Sequence, residues 1–147
     1  MKKLVILAFV LSSFLFAQGE FSDPQPTFDN PRKWVIKLRT DDPVTVNHMI
    51  GSIYNVLKEY PSQAINIKVV TYSSGVRVLK QDYRNKVAHA RIRSLMEYDV
   101  QFIVCRNTME TMKWTDDMFI DDVEFVQAGL VELIESVADG YIEITPY

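Results

Sequence analysis

Hydrophobic and polar positions change period several times along this chain, and each change marks an element. Trp34–Leu38 is a short β-rich run. Asp42-Pro43 then supplies a helix cap followed by proline at the first helical position. Val46, Met49, Ile50, Ile53, Leu57 and Tyr60 fall on one helical stripe that Pro61 closes. Ala64–Tyr72 reads as a second strand, and its unbroken Val-Val-Thr end predicts burial on both faces. Ser73-Ser74-Gly75 turns the chain, and a short apolar piece, Val76–Leu79, leads to a helix over Lys86–Tyr98 with Ala88, Ile92 and Leu95 inward. Val100–Cys105 is a third strand, followed by a short helix with Asn107 as its cap. Val123–Val126 is a fourth strand. Ala128–Ala138 is a helix whose predicted buried face carries Leu130, Leu133, Ile134 and Val137, and Tyr141–Ile144 is a last strand.

Five strands alternating with helices predict an α/β fold: a three-layer α/β/α single domain with a five-stranded, mainly parallel sheet. In such sheets reacting groups gather outside the carboxyl ends of the strands. That edge receives Thr40-Asp41-Asp42, Tyr72–Gly75, Cys105-Arg106-Asn107 and Gln127-Ala128-Gly129, four segments far apart in sequence.

The first nineteen residues follow a different pattern. Lys2 and Lys3 precede the apolar run Leu4–Phe16, and Ala17-Gln18-Gly19 supplies small residues for cleavage. The run is shorter than the roughly 18–20 residues of a membrane span, so residues 1–19 read as a signal peptide and the expected location is periplasmic. Residues 20–32, with Pro24, Pro26 and Pro31, read as an extended arm, and residues 33–147 as the domain. The whole chain carries 16 basic and 19 acidic residues; cleavage would remove two Lys and no acid, leaving a net charge of −5. That balance argues against nucleic acid as a partner, and against a membrane once the leader is removed.

Cys105 is the one cysteine, which rules out an internal disulfide and a thiolate-rich zinc site. It ends an apolar strand just before a helix start, whose backbone N–H groups favour a thiolate, and it is the expected nucleophile. Buried cysteine is also a common small core residue. His48 and His89 have no partner at metal-ligand spacing; His48 is the better site candidate, because its helix begins at the same sheet edge. Solvent exposure or a satisfied hydrogen bond is the ordinary expectation for both. The doublets Asp41-Asp42, Asp116-Asp117 and Asp121-Asp122 read mainly as caps and turns. Neither nucleotide-binding fingerprint nor a GxSxG elbow is present, so no cofactor is expected. Tyr72 and Gly75, just past a buried strand, would present a hydroxyl and close backbone to anything bound beside Cys105.

The chain resembles the DsrE/DsrF-like family from about Lys33 to Thr145. The resemblance rests on Leu38-Arg39-Thr40-Asp41-Asp42-Pro43 with Asn47-His48, on Val69-Val70-Thr71-Tyr72-Ser73-Ser74-Gly75, on Phe102-Ile103-Val104-Cys105-Arg106-Asn107-Thr108-Met109, and on Val123–Gly129 with Val131-Glu132-Leu133-Ile134. The Cys-x-Asn-Thr-Met segment is its most specific piece. The resemblance implies homo-oligomers such as trimers or hexamers, and, as in sulfur-relay members, a persulfide carried on Cys105. Thr40, His48, Tyr72, Gly75, Asn107 and Thr108 would then shape the binding pocket. With no second cysteine to resolve a persulfide, the sulfur donor and acceptor would be a partner protein or a small thiol. The competing expectation is a non-catalytic binding or assembly module with a structural cysteine. Tyr54, Tyr60, Phe119 and Tyr141 also exceed what one small core is expected to hold, which likewise predicts assembly.

Overall fold

The computed structural model describes residues 20–61 and 63–147; the leader expected over Met1–Gly19 lies outside them. Strand β1 (Arg32–Leu38) starts two residues earlier than its apolar run, because Arg32 and Lys33 continue the ladder to Ile65 and Asn66. Helix α1 (Pro43–Glu59) begins where the sequence places it. The Asp42 carboxylate accepts from the Thr45 N–H at 2.9 Å, and that bond holds its carboxyl below the ordinary range. Strand β2 (Ile65–Thr71) leads into a 3₁₀ segment over Ser73–Leu79, where the pattern predicted only a turn and an apolar piece. Helix α2 (Lys86–Glu97), strand β3 (Gln101–Cys105), helix α3 (Arg106–Met112), strand β4 (Glu124–Val126), helix α4 (Gly129–Ala138) and strand β5 (Ile142–Glu143) complete the order.

The strands form one sheet in the order β4-β3-β2-β1-β5, with every ladder parallel. Three successive connections move the chain from β1 to β4, and the fourth returns it across the sheet to β5. Right-handed crossovers therefore place α1 and α2 on one face and α4 on the other. The result is the expected three-layer α/β/α domain, but its two faces are covered unequally.

On the α1/α2 face, Trp34, Ile36, Leu38, Ile67, Val69, Phe102 and Val104 meet Val46, Met49, Ile50 and Ile53 of α1 and Ala88, Ile92 and Leu95 of α2. Phe119 and Ile120 close that core from the segment before β4. On the opposite face the buried cluster consists of Val35, Val70, Ile103, Leu133 and Tyr141. Strand alternation divides neighbours between these cores: Val69 and Val70, and Phe102 and Ile103, are each fully buried on opposite sides.

Helix α4 corrects the sequence reading. Of the four residues predicted to face inward, Leu133 alone is buried; Leu130, Ile134 and Val137 are exposed, with Val131 beside them. The helix rests on the sheet through Gly129, Leu133 and Ser136, spaced four and three residues apart. Small residues at two of those positions let it sit close, so its larger apolar side chains point away.

The four aromatic residues expected to overfill the core are also accommodated. Phe119 and Tyr141 are buried, the Tyr54 hydroxyl donates to the Arg91 carbonyl at 3.2 Å, and Tyr60 packs on Phe21 of the arm with ring centroids 4.6 Å apart. His89 is neither exposed nor satisfied. It is buried with Nε2 unpartnered, and burial, with Arg93 and Lys86 nearby, holds its pKa below the ordinary imidazole range. No helix among the described residues is long and apolar enough to cross a membrane.

Candidate functional site

Strand β3 is bounded by hydrogen-bonded neighbours on both sides, and its last residue, Cys105, pairs in register with Val126 of β4. Because Cys105 follows Ile103 by two residues, its side chain points to the α4 face. The thiol is 5% exposed and unbonded to any other cysteine. It accepts a hydrogen bond from the Gly129 N–H at 3.2 Å, and the Gln127 carbonyl lies 3.9 Å away as an acceptor for the S–H. Gly129 is the first residue of α4, so this N–H is one of the free donors at a helix start, where the positive end of the helix dipole also lies.

The sequence expected these donors from the helix that follows Cys105. The structure supplies them instead from α4, more than twenty residues further on. Helix α3 begins at Arg106 with Cys105 as its cap residue, so Asn107 is inside the helix rather than its cap. The Asn107 N–H donates to the Gln127 carbonyl at 3.0 Å, and its Oδ1 accepts from Gln127 Nε2 at 2.7 Å. Those two bonds clip α3 to the β4–α4 junction and fix the peptide that presents Gly129.

Glycine at position 129 has a steric reason. A Cβ there would meet the Cys105 Cβ at 3.2 Å, Val70 Cγ1 at 3.4 Å and the Tyr72 Cβ at 3.5 Å. Tyr72 is thereby placed beside the cysteine, half-buried against the α4-face core. Gly75 is constrained more severely, since a Cβ would lie 2.1 Å from the Leu38 carbonyl oxygen. Its backbone abuts the end of β1.

The remaining predicted residues disperse along the same edge. The Thr108 hydroxyl accepts from the Ser73 N–H at 3.1 Å and holds Ser73 at a φ of 52°. Thr108 and Asn107 line a cleft of about 470 Å³ with Ser73, Ser74, Arg77 and Trp114. The Thr40 hydroxyl accepts from the Asp42 N–H at 3.1 Å at the entry to α1. His48 is exposed on α1. No hydrogen bond joins Thr40, His48 or Thr108 to the cysteine among the described residues. Tyr72 and Cys105 are thus brought together, while Gly129 and Gln127, which the sequence put on this edge without a role, are the residues that touch the sulfur. Their signal was a glycine at a strand-to-helix junction on the carboxyl edge.

The C-terminus covers part of this edge. Lys37 pairs with Glu143 at 2.6 Å, and the Tyr147 hydroxyl donates to the Lys37 carbonyl. The carboxylate holds the Lys37 ammonium above its ordinary range. Arg106 forms a two-pronged ion pair with Asp116, at 2.7 and 2.8 Å, so its charge is already matched by a carboxylate. A larger cleft, about 720 Å³ and lined by Phe28, Tyr54, Tyr60 and Tyr98, lies at the opposite edge of the sheet. Size therefore does not mark the cysteine.

Fold and site together define a small parallel α/β domain with one buried cysteine at the carboxyl edge, held by a neighbouring helix start. The model of the DsrE/DsrF-like family matches residues 42–146, and the chain belongs to that family. A solved structure, that of a protein of unknown function from Methanobacterium thermoautotrophicum, is similar with a TM-score of 0.71 and 26% sequence identity, covering 77% of this chain and 97% of its own. No curated protein matches the chain.

Proposed function

We propose that this protein is an exported sulfur carrier in which Cys105 accepts sulfane sulfur as a persulfide and hands it to an external thiol. The observation that carries this reading is the Gly129 N–H donating to Sγ at 3.2 Å from the start of α4. A donor aimed at sulfur stabilises negative charge on it, in the thiolate and in the persulfide anion alike. In the loading step the Cys105 thiolate attacks the terminal sulfur of a donor persulfide. A bond forms between Sγ and that sulfur, the donor's S–S bond breaks, and the donor thiolate leaves with the electron pair and takes up a proton. An acceptor thiolate then attacks the same terminal sulfur and releases the Cys105 thiolate, so the exchange needs no oxidant or reductant.

The binding roles of Thr40, His48, Tyr72, Gly75, Asn107 and Thr108 belong to this proposal, with Tyr72 the closest to the sulfur. So do periplasmic export after removal of residues 1–19 and assembly into a trimer or hexamer. Assembly is supported by the exposed Leu130, Val131, Ile134 and Val137 of α4 and by the exposed Ile142 and Ile144. Membership of the family and the burial of Cys105 equally accommodate a second reading, a binding module with a structural cysteine, which the 5% exposure of the thiol favours.

Mass spectrometry of the folded protein after treatment with inorganic polysulfide separates the two. The carrier reading expects one added sulfur atom on Cys105, removed by a small thiol and absent from Cys105→Ser. A wild-type thiol that resists both polysulfide and alkylation until the chain unfolds overturns it in favour of the module.

A further inference from the structure

Helix α4 carries the Gly129 N–H to the sulfur, yet its apolar packing does little to fix where it sits. Its cap residue is Ala128, which offers no side-chain acceptor to the helix start. Leu133 is the one large apolar side chain it buries, since Leu130, Val131, Ile134 and Val137 are exposed. Apolar contact is non-directional, so a single leucine does not by itself stop the helix from sliding along the strands below.

Polar contacts supply the missing register. Lys68 of β2 pairs with Glu132 of α4 at 3.0 Å, and the two side chains are only 21% and 22% exposed. The Ser136 hydroxyl, on a buried residue one turn further along, donates to the same Glu132 Oε1 at 3.2 Å. Burial opposes the Lys68 charge, but the bond to Glu132 and its negative charge hold the ammonium above its ordinary range. Separating such a pair strands a poorly solvated charge, which resists any movement of the helix. At the other end of α4, Lys33 of β1 donates to the Asp139 carbonyl at 2.8 Å and meets its carboxylate at 3.0 Å. That sets a cation on the negative end of the helix dipole.

The ion pair is in register with the sulfur. Val70 faces α4, so Lys68, two residues earlier on β2 and about 6.6 Å away, faces it too. On α4 the matching residues are Gly129 and Glu132, about 4.5 Å apart along the axis. Glu132 meets Lys68, while a Cβ on Gly129 would lie 3.4 Å from Val70 Cγ1. The helix therefore runs antiparallel to β2. A slide that broke the ion pair would also carry the Gly129 N–H off Sγ.

We propose that Lys68, Glu132 and Ser136 are positioning residues for Cys105, setting the register of α4 along β2 and thereby holding the Gly129 N–H on the sulfur. The proposal rests on the same Gly129–Sγ contact as the carrier reading, but concerns where the donor sits rather than what the sulfur carries.

Nuclear magnetic resonance of the folded chain tests it at the Gly129 amide. The variants are Glu132→Gln and the double variant Lys68→Met/Glu132→Gln, which leaves no charge of the pair behind. In both, this amide should exchange with solvent at least about fivefold faster. Its proton resonance should also move upfield as the bond to sulfur lengthens, while amides of β2 and β3 keep their wild-type protection. Lys68→Arg, which keeps a cation within reach of Glu132, should behave as wild type. So should Glu135→Gln, which removes an exposed charge from the same helix. A Gly129 amide unchanged in the double variant, or altered equally by Lys68→Arg or Glu135→Gln, overturns the assignment. Loss of protection across β2 and β3 as well would make the pair a general support of the fold and overturns it too. Neither measurement involves sulfur uptake, so a wild-type chain that gains no sulfur from polysulfide overturns the carrier reading alone.

Discussion

The two faces of the sheet were built from the same strands but not to the same depth. The α1/α2 face is sealed by two long helices and the segment before β4, and its central residues have no exposure at all. The α4 face is sealed by one ten-residue helix, about 15 Å long, laid across strands spaced about 4.8 Å apart. Five parallel strands are too wide for it, so charged and half-buried groups complete the cover. Lys68 bridges to Glu132 at 3.0 Å and lies 4.8 Å from the centre of the Tyr141 ring. The cysteine is on this thinner face. A nucleophile gains from proximity to a single helix start and a shallow cover, because a reagent then has less structure to displace than on the thick face.

Core truncation tests this contrast most strongly. Phe102→Ala on the thick face should cost about 3–5 kcal/mol, and Leu133→Ala under α4 only about 2 kcal/mol, because a 6% exposed site beside solvent collapses more easily. Urea denaturation measures both, and equal losses would break the distinction between the faces.

Gly129→Ala should cost about 1 kcal/mol through contacts with Cys105, Val70 and Tyr72. It should also slow modification of the thiol relative to wild type, measured by alkylation kinetics. A rate unchanged in this variant would show that access to sulfur does not pass beside the start of α4.

His89 sharpens the comparison from the thick side. Its buried, unpartnered imidazole favours the neutral form in the folded state, with Arg93, Lys86 and the Tyr83 ring, 6.3 Å away, as its neighbours. Its contribution to stability is intact above the unfolded pKa of about 6.5 and is lost as pH falls from there toward the lower folded value. Denaturation curves from pH 7.5 to 5 should show this loss in wild type and a flatter profile in His89→Leu.

The smallest expected effect on stability belongs to the outer side of α4. Ile134→Lys, at a position 64% exposed, should change unfolding free energy by less than about 0.5 kcal/mol at low concentration. It should nonetheless lower the assembly mass in sedimentation equilibrium if this face mates with a second copy. A wild-type chain that is monomeric at micromolar concentration would remove assembly from the proposed function.

Much of the fold was legible because its signals are local. Asp42-Pro43 determined where α1 begins, the α1 stripe identified its buried side, and the Val-Val-Thr run identified a strand covered on both faces, since each rests on covalent geometry and periodicity. The position of Cys105 at a strand end on the carboxyl edge was equally legible. The partners of its sulfur were not. Gln127 and Gly129 reach it only because β4 pairs with β3, and no spacing in the chain encodes that a helix more than twenty residues away will offer its first N–H.

Helix α4 divides the two kinds of information most clearly. Its amphipathic sequence determined that a helix would form and that Leu130, Leu133, Ile134 and Val137 would share a side. Which side met the sheet was decided by close packing at Gly129 and Ser136, which brought the helix down on Leu133 and left its neighbours exposed. Periodicity specifies a stripe, whereas the orientation of that stripe depends on the shape of the surface it packs against. The same holds for Tyr83, whose apolar ring the sequence could place in a core. Only the tertiary structure left its buried hydroxyl without a partner, because hydrogen-bond satisfaction depends on which distant segments arrive at the same place.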